Sequence, residues 1–407
     1  MGSDSQDAQT LRELAKRYAE LSNSPIQDQR RDLWRRHNSL IKTRPPIYVR
    51  AGWSEAPEVH VRQCADPFCQ AYESWLRVQL FRGGIGDDST FEPWITVPAV
   101  HKASGWGLTG SRRYPAEAGG SYKVDYPVKE LEDAEKLQTP RHEIDEEQTA
   151  RNADRLREIV GDILTVNVDR GPAWWMWSAD ISTDLGHLRG IENFMLDMTD
   201  NPQWLHRLLA FMRDGILRAH QQAEDAGDWG LCDHQNQAMP FARELLDPAA
   251  NVLGVKRKQL WVFAAAQEFT LVSPRMHEEF LLRYQLPILS RFGLVAYGCC
   301  EDLTKKIDML RRIPNLRRIA VAPAADVRKC AEQIGRDYVI SYRPNPALMV
   351  SVGFDPDRVR RLVTAAMDAC RGLCGDITLK DVETVQGRPD RLHEGTRIVR
   401  GIAEDYA

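Results

Sequence analysis

Two adjacent thiols close a short apolar run, Gly293-Leu-Val-Ala-Tyr-Gly-Cys-Cys-Glu301, in a setting where they could do chemistry. A thiolate is both a nucleophile and a zinc ligand, and bound zinc could ready a substrate thiol for methyl transfer. Adjacent side chains on a regular strand point to opposite faces, so only one of the pair is a natural ligand. Cys299 is taken first, with His234 and Glu268 as companion metal donors and Cys232, Cys330 and His101 as further ones. The alternative is one buried and one rim thiol with no metal.

His234 stands in the polar run Cys232-Asp-His-Gln-Asn-Gln237, which neither helical nor strand periodicity explains. Near neutral pH it could be a base, a ligand or a hydrogen-bond donor. Without zinc, Glu268 or His234 is the expected catalytic acid or base. Asp169, Asp180, Asp184, Glu301 and Asp326 also fall near expected strand ends, where burial could raise a carboxyl pKa. Helix capping or pairing with arginine is the plainer role for each. Arg50, Arg189 and Arg343 offer planar two-donor faces to a carboxylate or phosphate. Trp53, Trp94, Trp106, Trp174, Trp175, Trp177 and Tyr297 could line a face for a flat ring or a methylammonium group. The substrate-contacting set is therefore read as Arg50, Trp53, Trp177, Gln267, Tyr297 and Arg343. No glycine-rich phosphate loop, dinucleotide fingerprint or serine elbow stands in a supporting context.

These residues need elements to position them. From Lys258 to Leu348 a unit recurs: an apolar run, a polar or cysteine-bearing end, then a helical stretch. Such alternation marks βαβ units around a parallel sheet, and the carboxyl ends of its strands form the functional rim. Ile47-Tyr-Val begins a first strand, with Arg50 and Trp53 at its rim, and Asp162–Asp169 and Thr378 onward supply others. Helices are expected over 68–81, 201–220, 355–370 and 389–406. Residues 1–40 read as an N-terminal helical extension on the surface, and 91–140, rich in aromatics, glycine and proline, as a lid inserted into a domain spanning 41–407.

The 407 residues are 43 % hydrophobic and 28 % charged, enough for a large packed core. A net charge of -4 leaves no basic footprint for nucleic acid. No apolar run is long enough to span a bilayer and the start lacks a secretion signal, so the cytoplasm is expected. The eight cysteines show no disulfide framework.

Gly190-Ile-Glu-Asn-Phe-Met-Leu-Asp-Met-Thr-Asp-Asn-Pro-Gln-Trp-Leu-His-Arg-Leu-Leu-Ala-Phe211, Leu271-Val-Ser-Pro-Arg-Met-His-Glu-Glu-Phe280 and Leu379-Lys-Asp-Val-Glu-Thr-Val-Gln-Gly-Arg-Pro-Asp-Arg-Leu392 resemble segments of the uroporphyrinogen decarboxylase superfamily, which includes cobalamin-linked methyltransferases. The resemblance implies a single (β/α)8 TIM barrel with its pocket at the carboxyl ends of the strands. Tyr297-Gly-Cys299 falls where methyltransferase relatives carry a His-x-Cys zinc element, with tyrosine replacing histidine. The expected function is a methyltransferase or demethylase of a small molecule, with a corrinoid protein as partner and room for a homodimer. A cofactor-free decarboxylase of a small carboxylated ring and a non-catalytic binding protein are the alternatives.

Overall fold

The apolar runs of the second half become strands buried on both faces, which is why they read as nearly unbroken hydrophobic sequence. The computed structural model describes residues 3–51, 55–102, 105–114, 122–173 and 181–407. Strands β1 (Ile47–Ala51), β2 (Trp94–Pro98), β3 (Ser111–Arg113), β4 (Lys123–Asp125) and β5 (Thr165–Asp169) precede β6 (Trp261–Ala264), β7 (Leu294–Tyr297), β8 (Leu316–Val321), β9 (Val339–Tyr342) and β10 (Gly375–Val382). Six of them form one curled parallel sheet in the order β1-β10-β9-β8-β7-β6, while β2 pairs only with β5 and β3 with β4.

The expected closed (β/α)8 barrel is thus corrected to an open half-barrel with separate small sheets. The reason lies at the strand edges. The outward amides of β1, those of Ile47 and Val49, donate to the carboxylates of Asp88 and Asp87, each at 2.8 Å. At the other edge, the Trp261 amide of β6 donates to His234 Nδ1 at 3.2 Å. On β5, Asn251 accepts from the Val168 amide and donates to the Val166 carbonyl. Backbone groups satisfied by side chains have no need of a further strand, and the ladders stop there.

Helices cover the convex face. Val262, Ala264, Val295, Tyr297, Ile319, Val321 and Ile340 pack into one large cluster with the helix Pro202–Ala226. That helix starts with proline in its first turn and ends at Gly227, whose φ of 74° suits the left-handed cap. Alternate residues Trp261, Phe263, Leu294 and Ala296 face the concave side. Asp66, Asp145, Asp326 and Asp355 each cap a helix through the side chain.

The N-terminal stretch is more than a surface layer. Helix α1 (Ser3–Ser22) packs on the helix Pro67–Gly84, but α2 (Ile26–Asn38) buries Trp34, His37 and Asn38. Trp34 lies against Tyr48, Met239 and Phe241, and Asn38 donates to the Met239 and Phe241 carbonyls. Within the stretch read as a lid, β2 is a full parallel partner of β5. Among the described residues no helix is long and apolar enough to cross a membrane.

Candidate active site at the ends of β7, β9 and β10

Gly298 lets β7 turn sharply: its φ is 100°, and a Cβ there would come within 2.7 Å of Leu303. Cys299 and Cys300 follow, with their sulfurs 3.6 Å apart. Lys380 Nζ donates to Cys299 Sγ at 3.0 Å and to Cys300 Sγ at 3.3 Å, and pairs with Asp381 Oδ2 at 2.7 Å. Cys300 Sγ also stands 3.1 Å from Asp381 Oδ2, so its one proton alternates between that carboxylate and the Cys299 sulfur. Arg343, at the end of β9, donates to the Cys299 carbonyl at 2.5 Å. Glu301 fastens the turn by accepting from the amides of Cys299 and Ala266, each at 2.7 Å.

A bulge aims Lys380 into this cluster. Val49 pairs with Leu379 but Ala51 with Val382, so β10 carries one residue more than β1 between the two pairs, and Asp381 takes a φ of 57°. Arg50 lies on β1 beside that bulge, half-buried, with no hydrogen bond or ion pair to a described residue.

The electrostatics favour a thiolate on the buried sulfur. The Cys300 thiol donating to it, together with the charges of Arg343 and Lys380, outweighs burial and brings Cys299 down to about 6. Its bond to Cys299 and its own burial push Cys300 up, so that it keeps its proton. Burial and Arg343 weaken the Lys380 ammonium, but Cys299 and Asp381 more than restore it. Cys299 is 1 % exposed, whereas Cys300 reaches the surface.

The other expected residues are distributed differently. Glu268 and Gln267 sit half-buried on a turn after β6, and Glu268 packs against Gly186 with a partnerless Oε2. Tyr297 faces the helices, where its hydroxyl donates to Gln285 at 2.8 Å and meets His277 at 2.9 Å. Asp326 caps an exposed helix start, Arg189 pairs with Asp197, and Asp184 accepts from Trp106. Asp169 adjoins Asp233, which burial and the Asp169 charge push up to about 8. Trp53, Trp174, Trp175, Trp177 and Asp180 lie outside the described residues.

His234 is an edge cap. It sits at the amino end of β6, the opposite end from the rim, accepting from Trp261 through Nδ1 and donating from Nε2 to the Leu246 carbonyl at 3.0 Å. Burial pushes its pKa down to about 4, which keeps it neutral. His234→Ala should therefore cost about 1–3 kcal/mol, the penalty of stranding a buried backbone donor, in a urea melt. Activity per folded molecule should be unchanged, and a catalytic loss without a stability loss would refute the capping role.

The described residues expected as zinc ligands do not assemble a site. Cys299, His234 and Glu268 are not brought together, and among the described residues no three histidine, cysteine or acidic side chains converge as ligands. The sulfur already faces an ammonium group, which would repel a dication.

Lys380 and Asp381 were missed because a lysine near a strand end reads as a solvated edge. The signal was present in Asp376-Ile-Thr-Leu-Lys380, whose polar residues alternate with apolar ones and are all buried. A cleft of about 740 Å³ between the turn Leu131–Lys136 and the start of the helix Pro202–Ala226 contains none of the cluster.

No protein-family model matches the chain, and no curated protein resembles it in sequence. Among solved structures it is similar to a methyltransferase from Methanosarcina mazei, with a TM-score of 0.51 and 11 % identity, covering 93 % of this chain and 99 % of that one. The resemblance read from the residues is thereby narrowed to a distant likeness of fold, shared with a methyltransferase and not specific to the uroporphyrinogen decarboxylase family.

Proposed function

We propose that this chain is a methyltransferase-type enzyme acting on a small anionic molecule, with Cys299 as the methyl-accepting nucleophile. One observation carries the reading: the Cys299 sulfur lies 3.0 Å from Lys380 Nζ at the rim of a parallel sheet, where its neighbours lower its pKa and favour the thiolate. The likeness of fold to a methyltransferase supports the class. In the first displacement a sulfur lone pair attacks the methyl carbon, and the bond to the donor heteroatom breaks with its electron pair. Lys380 gives the departing anion a proton or a charge partner. A corrinoid carried by a partner protein would supply the acceptor that takes the methyl group from the sulfur and restores the thiolate. Arg50, on β1 beside the bulge, is the candidate to hold the substrate's anionic group. The Oε1 atom of Gln237 and Nε of Arg343, both buried with no hydrogen-bond partner among the described residues, are left for its polar atoms.

Incubation with methoxylated aromatic acids, followed by peptide mapping, should find a methyl group on Cys299 together with demethylated product. Turnover that never labels Cys299 and persists in Cys299→Ala would end the proposal. A second reading, decarboxylation, is favoured by the protonated Cys300 thiol beside Lys380, a ready proton donor to a carbanion. In that case carbon dioxide release would depend on Cys300 and survive Cys299→Ser.

A further inference from the structure

We propose that Cys299 and Cys300 form a reversible redox couple, closed by a small hydroperoxide into a bridge between the adjacent sulfurs. On a regular strand the two side chains would diverge. Here they follow the end of β7 past Gly298, and both converge on Lys380, with 3.6 Å between sulfurs. A bond length of about 2.0 Å is reached by rotating side chains that already touch. The pair is also asymmetric in the way such chemistry needs, with one buried sulfur facing a cation and one exposed thiol donating to a carboxylate.

The steps balance. The Cys299 thiolate attacks the terminal peroxide oxygen, the O–O bond breaks, and the alcohol or water leaves with a proton from Lys380. Cys299 becomes a sulfenic acid. Cys300 then passes its proton to Asp381 and attacks the Cys299 sulfur. The S–O bond breaks, and hydroxide departs as water with that proton. The two sulfurs lose two electrons, which the hydroperoxide gains, and a dithiol reductant reverses the change. Consecutive Cα atoms stand about 3.8 Å apart, closer than the usual span of a disulfide, so the bridge is strained and readily reduced. It therefore suits a switch better than a staple. If Cys299 is the methyl acceptor, closing the bridge turns the enzyme off; that consequence rests on the proposed function, whereas the bridge itself does not.

The test treats the full chain with hydrogen peroxide, blocks remaining thiols with N-ethylmaleimide and maps unreduced peptides. Expected is the joint loss of Cys299 and Cys300 as alkylatable thiols, recovered with dithiothreitol. Cys300→Ser, at an exposed position that leaves packing intact, should instead accumulate a dimedone-reactive sulfenic acid on Cys299, and Cys299→Ser should form neither product. Oxidation of Cys299 to sulfinic acid with Cys300 still free, or a Cys299 that resists peroxide in wild type, would overturn the inference. A bridge that forms in a protein never methylated at Cys299 would support the couple and count against the proposed function. Methylation without a bridge would do the reverse.

Discussion

Cys299→Ala should lower kcat/KM by about a thousandfold or more, because removing the atom that forms the covalent intermediate leaves only binding and positioning to act. Such a loss corresponds to roughly 4 kcal/mol of transition-state stabilisation. Its pH dependence identifies the cause. The thiolate persists above its pKa and is lost below it, so wild-type turnover and iodoacetamide alkylation of Cys299 should both rise through an acid limb at about 6. Lys380→Met keeps the buried stem and removes the ammonium group 3.0 Å from the sulfur, so the same limb should move toward alkaline pH. An alanine variant with wild-type kcat/KM, or a limb that ignores Lys380→Met, would leave Cys299 without a chemical role.

Asp376→Ala should cost on the order of 3–5 kcal/mol in urea unfolding, the usual penalty for breaking a buried ion pair from one side. Asp376 is fully buried on β10 and accepts from Arg318 at 2.9 Å, His37 at 3.1 Å, Ser341 at 3.0 Å and Thr378 at 2.9 Å. It ties three strands to α2, and without it the guanidinium of Arg318 is left buried within reach of the Arg343 charge and stripped of the Asp376 counter-charge. Adding Arg318→Met should recover part of the loss, since the stranded charge is then removed as well. Burial alone would raise the Asp376 pKa, but Arg318 and the hydrogen bonds outweigh it and hold it at about 2. The unfolded value is about 3.9, so the network contributes fully above that pH and is lost as pH falls toward 2. A stability loss no larger than that of a surface aspartate variant would show that the network is not needed.

Local pattern carried much of this molecule. The apolar runs that end at Ala264, Tyr297, Val321 and Tyr342, broken by Arg317-Arg318 in β8 and Ser341 in β9, specify buried parallel strands, because each backbone-and-side-chain period is set within a few residues. The caps at Asp66, Asp145, Asp326 and Asp355 are equally local, and a residue just past a buried strand lies at the rim, so Cys299 and Arg343 were legible as neighbours. Whether Asp87, Asp88, His234 and Asn251 end the ladders, or further strands extend them, depends on pairings between distant segments, and no local period encodes those. The same limit hid the bulge at Lys380-Asp381, which exists only as a mismatch between β1 and β10 and which turns a strand-end lysine onto two thiols. Sequence by itself determined the strands of the curled sheet and the residues at their ends, but not β2, β3 or β4 inside the stretch read as a lid. Tertiary structure alone decided that the sheet stays open and that Cys299 sits among groups that lower its pKa, because edge satisfaction and electrostatic neighbours arise only when remote parts of the chain meet.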